Sequence, residues 1–250
     1  MITLQDLFDD LAYGELSNVA LGNSDLETIT EKSYPKVVSA INLGLVEIYK
    51  RLNLRQGKVK LHQYTGLTTY YLRSEFADTA DAMGDETYLE QTDEAPFTDD
   101  VIKVLSAVDS AGNKVHINDA KYPADLFTPS FDTIEIAAPS SSLVNADGTT
   151  RTSVDVFTLS YQAKYPKIII KPNFKPSTYK LYIPDVIEEP LLIYVAYKMF
   201  RKPVKIAKGE VNPSTTLMIE FENSMKKIEL LNLDIDVNDE RDRFSANGWV

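Results

Sequence analysis

Residues 35–62, PKVVSAINLGLVEIYKRLNLRQGKVKLH, change period halfway, and that change decides the fold. In the first part Val37, Ile41, Leu45, Ile48 and Leu52 recur every three or four residues, which stacks them on one face of a helix. Pro35 suits a first turn, where its missing N–H would have no partner. The spacing predicts a helix from about Ser33–Pro35 to Leu54. In the second part Val59 and Leu61 alternate with Lys58, Lys60 and His62, the two-residue period of a strand with one buried face. A helix with a single apolar stripe must bury it against other helices, so helical partners are expected elsewhere in the chain.

They are found at both ends. Leu4, Leu7, Phe8 and Leu11 form a stripe over residues 3–12, with Thr3 as N-cap and Asp6 three residues on; a loop from Gly14 to Asp25 follows. A helix is predicted over 185–201, with its regular part placed after Pro190, an apolar face of Leu191, Leu192, Val195 and Met199, and Pro203 as its stop. The last helix runs from Asn212, a good N-cap before Pro213, to Leu231, with Leu217, Phe221, Met225, Ile228 and Leu231 as its stripe. Between these ends the chain is strand-like. Strands are predicted at 67–74, 101–108, 114–118, 132–137, 153–163 and 178–183, with turns at 109–114 (DSAGNK) and 145–149 (NADGT) and a long acidic loop at 74–100. The expected fold class is α+β: residues 1–55 and 184–231 packed as a small helical bundle, residues 56–183 inserted as an antiparallel barrel or sandwich, and 232–250 as an extended tail.

Composition narrows the chemistry. The 250 residues carry a net charge of −11 and are 44% hydrophobic, enough to bury a core. With no cysteine, disulfides, thiolate nucleophiles and Cys-built metal sites are excluded. The acidic, charge-broken start does not resemble a secretory signal, and no apolar run approaches the ~18–20 residues of a membrane-spanning helix. The expectation is a soluble, intracellular, acidic protein without membrane contact. An acidic chain is poorly suited to gripping nucleic acid, because phosphate contacts need Lys and Arg.

No phosphate-binding glycine loop, nucleophile elbow or zinc-helix motif is present. The two histidines, His62 and His116, read as polar strand positions, although Asp119 near His116 has the order of a base and its orienting acid. Asp85, Glu86 and Glu90, or Asp93 and Glu94, could offer oxygen ligands to a hard cation but lack the spacing of a calcium loop. The expectation is no catalysis, no cofactor and no metal. Tyr64, Tyr70 and Tyr71 read as packing or as an interface patch.

Charge is segregated along the chain. Between Arg73 and Lys103 stand ten acids and no base, among them Asp85, Glu86, Glu90, Asp93 and Glu94. From Lys164 to Lys208 ten bases, led by Lys164, Lys167, Lys171 and Lys175, face three acids. Both stretches can be solvated faces, or they can be complementary surfaces that meet between copies, a head-to-tail contact that closes into a ring when its rotation allows. The tail has Leu233, Ile235 and Val237 in alternation, then Phe244 and the only tryptophan, Trp249. That pattern lets it lie as an extended arm on a partner, with the two aromatics as anchors.

The segment ITLQDLFDDLAYGELSNVALGN (Ile2–Asn23), the helix PKVVSAINLGLVEIYKRLNL (Pro35–Leu54) and the late stretch IPDVIEEPLLIYVAYKMFRKP resemble the head-to-tail adaptors of short-tailed bacteriophages, the neck or tail tubular proteins. The resemblance covers about half of the chain, at both ends. It implies a structural virion protein, made in the host cytoplasm, that forms a ring of about a dozen copies between portal and tail and continues the DNA channel. It further implies contacts with the portal protein through the tail, with the tail nozzle or other tail proteins, with other copies of itself, and with fibres. DNA would pass without sequence-specific binding, which an acidic lining favours. A virion cell-wall hydrolase and a distal tail or fibre-attachment module are the alternatives.

Overall fold

The structure is a computed structural model that describes residues 2–14, 16, 29–64, 66–81, 83, 87–92, 96–119, 126–136, 156–200 and 213–231. In chain order its elements are β1 (Ile2–Thr3), α1 (Leu4–Tyr13), α2 (Tyr34–Arg51), β2 (Gln56–His62), β3 (Thr69–Tyr71), β4 (Ala77–Thr79), β5 (Leu89–Gln91), β6 (Val101–Val108), β7 (Lys114–Val115), β8 (Leu126–Ser130), β9 (Thr133–Ile136), β10 (Val156–Ala163), β11 (Lys180–Leu181), α3 (Glu188–Phe200) and α4 (Pro213–Leu230). The fold is mixed α+β, and among the described residues no sheet closes into a barrel. The described residues fall in two compact units: those within Met1–Leu52 and Tyr165–Asp234, and those within Asn53–Lys164.

The first unit is helical. α1 opens on the expected cap: the Thr3 hydroxyl accepts from the Asp6 N–H at 3.2 Å, and the Asp6 carboxylate accepts from the Thr3 N–H at 3.0 Å. α2 buries Val37, Ile41, Leu45 and Ile48 as the spacing predicts but ends at Arg51, because Leu52 turns extended while keeping its side chain in the core. α3 is apolar nearly all round and packs against α1, α2 and α4, the position such a helix requires. It starts at Glu188, before Pro190, where the regular helix was expected to begin only after that proline. The first four N–H groups of a helix have no intrahelical partner, so a proline in the third position loses nothing. α2 approaches α3 so closely at Gly44 that a Cβ there would stand 2.7 Å from Leu191 Cδ1 and 3.0 Å from Tyr194 Cδ1. On α4, Leu217, Phe221, Met225 and Ile228 are buried, whereas Leu231, expected on the same stripe, lies past the helix end and is exposed. Arg51 ties α2 to α4 by a two-pronged pair with Glu222 at 2.7 and 2.8 Å, and lies over the Phe221 ring.

The strand expected at 178–183 is shorter, and it is not part of the β section drawn as 56–183. β11 pairs antiparallel with β1, Ile2 against Leu181, so Tyr165–Ile183 group with the helices. The helix start expected at Asn212 and the turn at 145–149 lie outside the described residues.

The second unit holds a six-stranded sheet, β4-β5-β2-β10-β6-β7, and a three-stranded sheet, β3-β9-β8. Their buried faces share one core, with Val59, Leu61 and Leu159 from the larger sheet and Tyr70, Leu126 and Ile134 from the smaller. The hairpin at 109–114 forms as expected: Gly112 takes φ +86°, and the Asp109 carboxylate accepts from the N–H groups of Ala111 and Asn113. The acidic stretch 74–100 is not simply a loop. It supplies β4 and β5, and Tyr88, Leu89 and Phe97 are buried in the core. Charged residues on the outward side had hidden a short half-buried strand. Tyr70 is wholly buried, its hydroxyl donating to the Leu67 carbonyl at 2.9 Å, so the tyrosine interface reading fails for it; Tyr71 alone of the three is exposed.

Arg55, Asp100 and Tyr161 fasten the unit where its strands begin and end. Asp100 accepts from Arg55 and, at 3.1 Å, from the Tyr161 hydroxyl, while its backbone carbonyl accepts from the Lys164 N–H at 2.7 Å. Arg55 also donates to the Lys164 carbonyl at 2.7 Å. Burial, then the Asp100 charge, raise the Tyr161 hydroxyl well above its ordinary pKa, so it stays a donor.

Asp100→Ala is expected to cost about 1–3 kcal/mol in urea unfolding, because the buried Tyr161 hydroxyl loses its acceptor. Gly44→Ile should destabilise by a similar ~1–3 kcal/mol through overpacking between α2 and α3.

Candidate functional site

Two surfaces of the helical unit combine chemistry with accessibility. The first is a groove of about 900 Å³ lined by α1, the turn before α3, α3 and α4. Asp10, Asp185, Glu188, Glu189 and Glu220 supply its charge, and among the described residues Lys227 is the one base that lines it. These acids come from three distant stretches of sequence, so no local motif revealed them, although Asp185, Glu188 and Glu189 stood out as the acids of an otherwise basic run. Burial, followed by the neighbouring Asp10 and its hydrogen bond, raises the Glu188 pKa.

The second surface is the segment that follows β10, Tyr165–Lys175. Ile168 is buried, and the Asn42 amide on α2 holds its backbone at both ends, accepting from the Ile168 N–H at 2.9 Å and donating to its carbonyl at 3.0 Å. Around this anchor Lys167, Lys171 and Lys175 are exposed, as are Ile169 (61%) and Ile170 (37%). The lysines had been singled out from sequence. The exposed isoleucines and the part played by Asn42 had not, and the polar position interrupting an otherwise apolar region of α2 was the available signal. Lys164 belongs instead to the β unit, where its ammonium lies 5.7 Å from the Phe131 ring centre.

Of the five acids expected to face those lysines, Glu90 is the one among the described residues. Glu90 sits opposite Lys60 on the β2–β5 ladder, accepting from Lys60 at 2.6 Å and sharing a 2.8 Å hydrogen bond with His62. The Lys60 hydrogen bond, opposed by burial and aided by His62, holds the Glu90 carboxyl below its ordinary pKa. Asp99 accepts from the Ser74 hydroxyl at 2.7 Å, and Asp100 is taken up by Arg55 and Tyr161. Asp85, Glu86, Asp93 and Glu94 lie outside the described residues, as do Leu233, Ile235, Val237, Phe244 and Trp249 of the tail. His62 thus serves a strand-surface cluster. His116 and Asp119 are exposed near the β6–β7 hairpin, with the His116 carbonyl accepting from the Leu126 N–H at 3.2 Å. Among the described residues no group of three or more acids and histidines is arranged to hold a metal, and no helix is long and apolar enough to cross a membrane.

No protein-family profile matches the chain, and no curated protein matches it.

A carboxyl whose folded pKa lies above its unfolded value penalises folding at high pH, and the penalty disappears as the pH falls below the unfolded value. Glu188→Gln is therefore expected to raise stability at pH 7, with the advantage over the parent shrinking as the pH approaches 4. Urea midpoints for both proteins across that range provide the check; equal midpoints at pH 7 would contradict the assignment.

Proposed function

We propose that the chain is a structural ring subunit of a phage neck, a head-to-tail adaptor that seats on the portal, continues the DNA channel and receives the tail nozzle. In this reading the helical unit is the adaptor's bundle, the two sheets of the β unit are its inserted sandwich, and the tail carries Phe244 and Trp249 toward the portal. The observation that carries the proposal is the discontinuous helical unit. Its two sequence halves are those in which the resemblance lies, and the β unit interrupts them between Leu52 and Tyr165. Exposed lysines beside exposed isoleucines on that unit suit a subunit that contacts copies of itself. Fibre attachment through the β unit and a location in the virion belong to the same proposal.

A hydrolase is the second reading, since the acid-lined groove holds a carboxyl of raised pKa.

The purified protein, alone and mixed with its cognate portal, would be followed by sedimentation velocity and projection imaging. Rings that cap the portal are the expected result, and a chain cut after Arg243 should fold but leave the portal on gradient sedimentation. A protein that stays monomeric beside the portal yet cleaves peptidoglycan would replace this proposal with the second.

A further inference from the structure

The segment Lys167–Lys171 has the features of an unfilled sheet edge. Prolines at 166 and 172 bias the residues before them, Tyr165 and Lys171, toward extended backbone. Among the described residues nothing pairs with the backbone N–H or C=O groups of Lys167, Ile169 or Ile170. Burial alternates across the anchor, with Lys167 and Ile169 outward and Ile168 inward. Asn42 holds Ile168 from the α2 side, so the segment is tethered on its inner side and open on its outer one. An open, apolar edge of this kind is a template for another strand. Ile169 and Ile170 are exposed, so none of the described residues covers this apolar edge.

We propose that the edge receives residues 232–239, NLDIDVND, from a second copy, laid alongside as an added strand. The chemistry matches in two respects. Leu233, Ile235 and Val237 occupy one face of such a strand and Asp234 and Asp236 the other. Setting the aspartates on the side of Lys167 and Lys171 forms opposite-charge cross-strand pairs, and the same register turns the apolar row toward the side of Ile168 and Ile170. Among the described acids of the stretch 74–100, Glu90, Asp99 and Asp100 are engaged within their own unit. This strap deepens the ring-subunit reading and rests on it: the first part of the tail joins copies, and Phe244 and Trp249 remain beyond it.

The chain has no cysteine, so introduced pairs report without background. Full-length Ile170→Cys protein and differently tagged Ile235→Cys protein, residues that share a face in this register, would be mixed under mild oxidation. The expected result is a covalent heterodimer at least about tenfold above that formed when Ile219→Cys, an exposed site on α4, replaces Ile170→Cys, because docking raises the local concentration of the pair. Adding Lys167→Glu and Lys171→Glu, or 1 M salt, should reduce the yield severalfold. Three results overturn the strap: a yield equal to the Ile219 control, a cross-link within one chain when both cysteines share it and Cys-free protein is in excess, or preferential capture of Asp81→Cys protein from the acidic stretch. Sedimentation of the same samples separates the two levels. Rings without the cross-link reject the strap alone, whereas neither rings nor cross-link reject the ring reading with it.

Discussion

A chain that interrupts one folded unit to build another must bring the two ends of the inserted part together, and the contact among Arg55, Asp100 and Tyr161 does this. β2 and β10 pair antiparallel from Gln56 opposite Gln162 to His62 opposite Val156, so the first and last strands of the β unit are neighbours throughout. The carboxylate of Asp100, at the head of β6, then joins Arg55 just before β2 to Tyr161 near the end of β10. Gly57 completes the arrangement. It stands directly opposite Tyr161, whose ring occupies the place a Cβ would take, so a side chain at 57 and this tyrosine exclude one another. Closing the ends once, through a charged and partly buried hydrogen-bond set, makes the length of the insert a minor cost, since loop entropy grows only with the logarithm of length.

The helical unit meets the same problem from the other side, as its halves lie more than a hundred residues apart in sequence. Three kinds of interaction join them. α3 is apolar nearly all round and takes contacts from α1, α2 and α4. The β1–β11 pairing and the 2.9 Å bond from the Leu4 N–H to the Tyr179 carbonyl tie the first helix to the returning chain. Arg51 adds a directional lock between α2 and α4. Its pair is partly exposed, so it contributes register more than energy.

The sequence made legible whatever a period or a local rule controls. The α1 and α2 stripes, the Thr3 cap, the 109–114 turn and the strands β2, β6 and β10 follow from spacing and from turn chemistry. Its limits appear where long-range pairing decides. β4 and β5 were hidden among acids because each is only three residues long and carries an acid, and Leu89 of β5 is their one buried residue. β11 looked like part of the β section because its pattern says strand but not with which partner. The groove acids and the Asn42 anchor were invisible for the same reason: each depends on which residues distant in sequence come together.

Charge shows the difference between a sequence pattern and a surface. The acidic and basic runs look like opposed patches when written out. In the fold, Glu90 and Asp100 pair with Lys60 and Arg55 of their own unit, and Asp99 accepts from Ser74. Lys167, Lys171 and Lys175 stand exposed along a segment whose backbone groups at 167, 169 and 170 have no described partner. A folded chain rarely leaves exposed isoleucines and unpaired extended backbone at the same place, because the combination invites pairing with any passing strand. The lysines flanking that edge limit which strand can settle there, since a basic partner is repelled and an acidic one drawn in. In the proposed strap, specificity would rest with these charged residues, while the apolar and backbone groups between them would supply the adhesion.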